Sequence, residues 1–402
     1  MNPRFIFLIL FSINLLNYID RQILYAVFPL IQADLNLTDT HLGFLGSAFM
    51  IVYMIVAPFI GYFADRTPRQ IWISLSAFLW SIATILTGLA NNYSHLLAAR
   101  GFIGVGESGF TSVSPSFIAE RFPANARARA LAFYGMALPL GSALGYLIGA
   151  SLGNFLGWRH VFWICGFPGL ILAAVVIFKI KDTRAAPPKN EKPAISQYIR
   201  LLGNKPFLFV CLGQAMATFT LGGLAAWMPM YFYRYFDFSV AKAGVLFGAI
   251  LIVAGAAGMI AGGILADRLL IKNKKAYFVI SAASFCLALP FGIAALLTRD
   301  ATLAMALLGI AIALIFLQAG PLQAAIVATT GLKIRSMAFA LNIFIIHALG
   351  DALSPAVIGR LSDIYTLNAA VLISMFFILP AIVFIWLAGR FYKPQPDEVP
   401  SL

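Results

Sequence analysis

Gly61-Tyr62-Phe63-Ala64-Asp65-Arg66 and Gly263-Ile264-Leu265-Ala266-Asp267-Arg268 share the pattern G-x-x-A-D-R, and each copy ends an apolar run. The first closes the second such run of the chain and the other closes the eighth. Twelve apolar runs can be counted between polar breaks, each near the roughly 20 residues a helix needs to cross a bilayer. The two copies therefore sit at equivalent places in two sets of six. Such a repeat points to a duplicated transporter, with two parallel repeats around a site near the membrane midplane. The plainer explanation is chance identity between two short, positively charged loops. Within the motif, Gly permits close helix approach, and Asp can pair with Arg or accept from a neighbouring helix N-terminus. Gly61, Asp65, Arg66, Gly263, Asp267 and Arg268 are thus candidates for a cytoplasmic gate.

Composition agrees. Of 402 residues, 61% are hydrophobic and 11% charged, whereas a soluble globule is about a quarter charged. The expected fold is all-α and membrane-embedded, with twelve transmembrane helices in two six-helix bundles. The predicted organisation is a bundle over 1–180, a cytoplasmic linker over 181–204, a second bundle over 205–390 and a cytoplasmic tail over 391–402. Ala185-Ala186-Pro187-Pro188 marks the linker. The first apolar run is too long for a secretory signal and has no A-x-A-like cleavage site, so it reads as a retained helix.

Lys and Arg stay on the cytoplasmic side of membrane proteins. With the N-terminus inside, only Arg159, Arg234, Lys242, Arg299 and Arg360 fall outside, while Arg21 and Arg100 lie within spans. Both termini are then cytoplasmic. The net charge of +13 is explained by topology and contact with anionic lipids, with no need for nucleic acid. Cys165, Cys211 and Cys286 lie within spans without metal-ligand spacing and read as small packing residues. No metal or cofactor is expected.

The G-x-x-A-D-R loop between spans two and three resembles the signature loop of the major facilitator superfamily. Arg100-Gly101-Phe102-Ile103-Gly104-Val105-Gly106-Glu107 resembles that superfamily's fourth-helix motif. Asn17-Tyr18-Ile19-Asp20-Arg21, Ser47-Ala48-Phe49 with Tyr53, and Gly350-Asp351-Ala352-Leu353-Ser354-Pro355 resemble the Spinster-like transporters. Pro68 and Gln70 depart from the loop pattern, which usually has Gly and a basic residue there, so a weaker clasp is expected. The resemblance implies an amphipathic, anionic substrate such as a lysophospholipid or a sphingolipid-like molecule.

Asp20 and Arg21 are the only charges in their apolar run. Such a group costs about 2.5 to 3.5 kcal/mol on insertion scales, and survives facing a protein partner or a water-filled cavity. At 1.5 Å per residue, Asp20 lies about 17 Å and Glu107 about 18 Å from the outer ends of their spans. The two share a level near the midplane. Arg100 lies about 10 Å nearer the outer surface on the same rise and is read as a charge guarding the outer approach. Burial favours a protonated carboxyl and a nearby Arg the ionised one, so Asp20 and Glu107 are the candidate proton carriers. Arg21, a permanent forked donor, is the candidate anchor for an anionic headgroup. His347 and Asp351, four apart on one helix face, are candidate substrate contacts. The competing reading makes Asp20, Arg21 and Glu107 an ion-pair cluster that only fixes packing.

Two motif matches are rejected. Gly104-Val105-Gly106-Glu107-Ser108-Gly109 fits G-x-G-x-x-G but lies inside an apolar run, not after a strand. Gly149-Ala150-Ser151-Leu152-Gly153 fits G-x-S-x-G without a strand-to-helix elbow. No phosphate-cradling loop is present, so a proton gradient is the expected energy source. The reading is a proton-coupled secondary transporter working by alternating access, not an enzyme. Its partners are the proton, a lipid or small-molecule substrate and membrane lipids, and it acts as a monomer in a bacterial inner membrane. A symporter of small organic anions is the alternative; a channel or a non-transporting sensor would need no coupled carboxylates.

Overall fold

The computed structural model describes residues 3–64, 67–182, 195–330 and 334–393, and these are almost wholly helical. The helices are α1 (Pro3–Ala26), α2 (Phe28–Leu35), α3 (Asp39–Ala64), α4 (Arg69–Gly88), α5 (Tyr93–Ala119) and α6 (Ala124–Gly135). There follow α7 (Ala137–Leu156), α8 (Trp158–Lys179), α9 (Ile195–Gly203), α10 (Lys205–Tyr235), α11 (Val240–Leu270) and α12 (Ala276–Leu297). The chain ends with α13 (Ala301–Leu317), α14 (Ala319–Thr329), α15 (Arg335–Ile346), α16 (Ser354–Ile364), α17 (Leu367–Met375) and α18 (Ile378–Phe391). Asp65, Arg66, residues 183–194 of the expected linker and the tail from residue 394 lie outside the described residues.

Helical structure is what an apolar chain in lipid must adopt, because every backbone N–H and C=O then has a partner within its own segment. Eleven helical stretches among the described residues are long and apolar enough to cross a membrane. Helix α5, 27 residues long, is not among them, because Arg100, Glu107 and several Ser and Thr residues lower its hydropathy. Breaks fall where local chemistry calls for them. Gly157, at φ +86, makes the sharp turn from α7 to α8, a backbone region open to Gly without a Cβ penalty.

The described residues fall into two compact units. The first comprises residues 1–190, Ala225–Ile252 and Pro355–Leu367. In it α1 packs on α7, α3 on α5, and α4 on both α5 and α8. Small residues allow these approaches: a Cβ at Gly141, Gly145, Gly149 or Gly153 of α7 would press on Leu15, Ile19, Ile23 or Val27 of the facing segment. This is the small-residue spacing by which membrane helices come close.

The second unit comprises residues 191–224, Val253–Ser354 and Asn368–Leu402. Here α12 packs on α13 and α18, as α4 packs on α5 and α8 in the first unit. Gly258 and Gly262 of α11 lie against the Ala313 and Leu317 carbonyls of α13. Between α15 and α16 the helix widens into a π turn over His347–Asp351, with a kink at Gly350 (φ −106, ψ −105).

Candidate functional site

Within the first unit, α1, α3, α4 and α5 bring Asp20, Arg21, Arg100 and Glu107 into one buried cluster. Arg21 Nε donates to Glu107 Oε2 at 2.7 Å, and the Glu107 side chain is 0% exposed against 15% for Arg21. Asp20, also buried, accepts from Thr84 Oγ1 on α4 at 3.1 Å. Arg100 is wholly buried, and its Nε reaches the Leu45 carbonyl at 3.4 Å. The Phe49 ring lies 5.0 Å from each guanidinium carbon of Arg21 and Arg100. Tyr18 and Tyr53 flank Arg21 at 5.2 and 5.3 Å, so aromatic faces complete the enclosure of a charge taken out of water.

Hydrogen bonding in the cluster is incomplete on both sides. Glu107 Oε1 and Asp20 Oδ1 accept nothing among the described residues, and Arg21 Nη2 and both Nη atoms of Arg100 donate to nothing there. Surplus donors and acceptors in one closed space allow more than one pairing. Neutralising Glu107 would release Arg21, because a buried ion pair holds only while both partners stay charged.

Arg21 is bound to Glu107 and is not free to face a cavity alone. Arg100 sits in the interior. His347 and Asp351 do meet, with Nδ1 2.8 Å from Oδ1, on the π turn of the second unit, and both side chains are about a quarter exposed. Asp267 and Arg268 are exposed in the last turn of α11. A Cβ at Gly61 or Gly263 meets nothing within 4 Å, and in the second copy the tight crossing falls one residue earlier, at Gly262.

Two further clusters escaped the sequence reading, both in the first unit. Arg69, opening α4, is gripped by Asp182 (Nε to Oδ2 3.1 Å) and by Glu120 (Nη1 to Oε1 2.8 Å). Gln70, where a basic residue was the expected pattern, accepts the Asp182 backbone N–H at 2.9 Å. A Lys or Arg there has no acceptor atom and would lose that bond. At the other end of α3, Asp39 is forked by Arg234 (2.7 and 2.6 Å) and takes further bonds from Gln32 and Ser362. The Asp363 carboxylate accepts the backbone N–H groups of Asp39 and Thr40 at 3.0 and 2.8 Å. The signal was the scarcity of acidic residues, 15 in 402: each one beside a span end is a candidate partner for a buried cation.

A duplicated helical bundle with a closed charged cluster in its first half has the build of a secondary transporter. The sequence profile of the Major Facilitator Superfamily matches residues 10–355. Protein spinster homolog 1 of Xenopus laevis is 32% identical over 384 residues, covering 89% of this chain and 72% of that protein. A sphingosine-1-phosphate transporter of Xenopus tropicalis is 29% identical, over 87% of this chain and 72% of its own length. The crystal structure of a bacterial homologue of the human lysosomal transporter Spinster, inward-facing and unoccupied, superposes with a TM-score of 0.88 at 25% identity. That match covers 98% of this chain and 99% of the other. The chain therefore belongs to the Major Facilitator Superfamily and, within it, to the Spinster group, as a multi-pass integral membrane transporter.

Proposed function

We propose that the chain is a proton-coupled secondary transporter that works by alternating access and carries an amphipathic anionic lipid of the lysophospholipid or sphingolipid kind. The observation that carries this reading is the 2.7 Å Arg21–Glu107 pair sharing a buried cluster with Asp20. A proton on Glu107 removes the charge that holds Arg21, and the freed guanidinium can fork onto a substrate oxyanion. Departure of the proton draws Arg21 back. Proton and substrate thus act on one arginine, which is what coupling requires.

The substrate class is supported by the sphingosine-1-phosphate transporter among the relatives. Alternating access is in keeping with the inward-facing state of the bacterial homologue. In this reading α5 is the twelfth span, both termini are cytoplasmic, and the bundles over 1–180 and 205–390 rock about a central site. The cluster around Asp39 then marks the outer end, and G-x-x-A-D-R marks the inner. Arg100 serves as the alternative partner of the two carboxylates, and His347 with Asp351 as contacts from the second half. The transporter works as a single copy in a bacterial inner membrane.

Proteoliposomes test the coupling. Glu107→Gln is expected to retain substrate binding but lose stimulation of transport by a pH gradient; an unchanged response to the gradient would sink the proton role. A thermal-shift screen of lysolipids against organic acids tests the substrate. Buried amides in the second unit with partnerless atoms among the described residues, at Gln214, Gln318 and Asn342, favour a small polar anion as the second reading. Stabilisation by organic acids alone, lost in Arg21→Ala, would select it.

A further inference from the structure

In each half the third and sixth spans leave a groove between them, and the two grooves differ in chemistry. Between α4 and α8 a cavity of about 450 Å³ is walled by Ile71, Leu75, Phe78, Leu170 and Ile177, with no charged side chain. Its one hydroxyl there, Ser74 Oγ, is already bonded to the Ala173 carbonyl at 2.8 Å. Between α12 and α18 a cavity of about 380 Å³ has Phe278, Val279, Ala282 and Trp386 along its length and both Lys275 and Arg390 at one end.

We propose that the α12–α18 groove is a binding site for an anionic phospholipid of the surrounding bilayer, separate from the transported substrate. The floor is shallow because Gly389 lets α18 close on Phe278, whose Cβ a Gly389 side chain would strike at 2.9 Å. Val279 and Trp386 are 47% and 57% exposed, so the walls present apolar surface of the kind an acyl chain covers. Neither Lys275 nor Arg390 makes an ion pair among the described residues. Arg390 rests over the Trp386 ring at 5.6 Å, an aromatic-plus-cation arrangement that suits the depth of a lipid headgroup. Two cations converging at one end of an apolar trough match a phosphodiester above a hydrocarbon tail, and basic pockets between membrane helices take such headgroups. The α4–α8 groove, with the same helix pairing and no cation, lacks the headgroup half of the site.

Native mass spectrometry of the full chain, loaded with phosphatidylglycerol or phosphatidylcholine, tests the assignment. The wild type is expected to retain one phosphatidylglycerol in preference to phosphatidylcholine. Lys275→Gln with Arg390→Gln should weaken that preference about thirtyfold, the combined worth of two interfacial cations. Val279→Trp, which fills the trough and keeps both cations, should also lower retention. Phe78→Trp in the α4–α8 groove should leave it unchanged. Equal retention of both lipids by the wild type, or an undiminished preference in the double variant, would overturn the site. So would a dimer that the double variant dissolves, since the groove would then seat a second copy. A parallel loss of lysolipid binding would also overturn it, because the groove would then belong to the transport path.

Discussion

The two halves share a framework but not a chemistry. The packing of α4 on α5 and α8 recurs in that of α12 on α13 and α18, carried by small residues at the crossings. Yet the first half buries Asp20, Arg100 and Glu107 and leaves Arg21 only 15% exposed, while the second buries the neutral Gln214, Gln318 and Asn342. Among the described residues of the second half, the acid–base pair His347 with Asp351 is part-exposed. Duplication thus reproduces what backbone packing needs, and leaves each copy free to diverge where side chains face an interior. Charge handling is concentrated in one copy.

Several substitutions would break or sharpen that contrast. The largest effect is expected from Glu107→Ala, which leaves Arg21 in place with its ion-pair partner gone. Removing one member of a buried pair costs roughly 3 to 5 kcal/mol, and a melting curve in detergent should show a large fall. A melt like that of the wild type would mean that the first-half cluster carries no structural weight. Asp39→Ala removes the acceptor of Arg234, Gln32 and Ser362. With Arg234 28% exposed, the loss should be smaller, roughly 2 to 3 kcal/mol. In the second half, Gly262→Ala forces a Cβ onto the Leu317 carbonyl and should cost about 1 to 3 kcal/mol by overpacking; tolerance there would show that α11 and α13 can separate freely. His347→Ala should cost under about 0.5 kcal/mol of stability, as partly solvated helix pairs do. A transport assay on that variant then reads its part in substrate handling without interference from misfolding.

Much of the site was legible as a set of residues, less so as a set of bonds. Asp20 and Arg21 read along the chain as a couple, and depth placed Asp20 level with Glu107. In the fold Asp20 turns to Thr84 on α4 and Arg21 to Glu107 on α5. Successive residues on a helix point about 100° apart, so adjacent side chains serve different neighbours. Arg69 shows the converse. Counted only as a topological charge, it proves to be buried between two carboxylates from distant parts of the sequence. Arg100 and Glu107 lower the average hydropathy of helix α5, yet both are buried inside the bundle, which an average over sequence cannot register.

The sequence by itself determined that this chain lives in a membrane, that it is built twice over, and which ionisable groups are carried within the spans. Those properties follow from composition and periodicity, because in hydrocarbon a backbone has few ways to satisfy its polar groups. Only the tertiary structure decided who pairs with whom: Glu107 with Arg21, Asp39 with Arg234, Gln70 with the Asp182 amide. It also distinguished the two grooves, one bare and one with a cationic end. Pairing depends on the rotation and register of one helix against another. Side-chain size at the crossings sets these, not the local sequence of either helix alone.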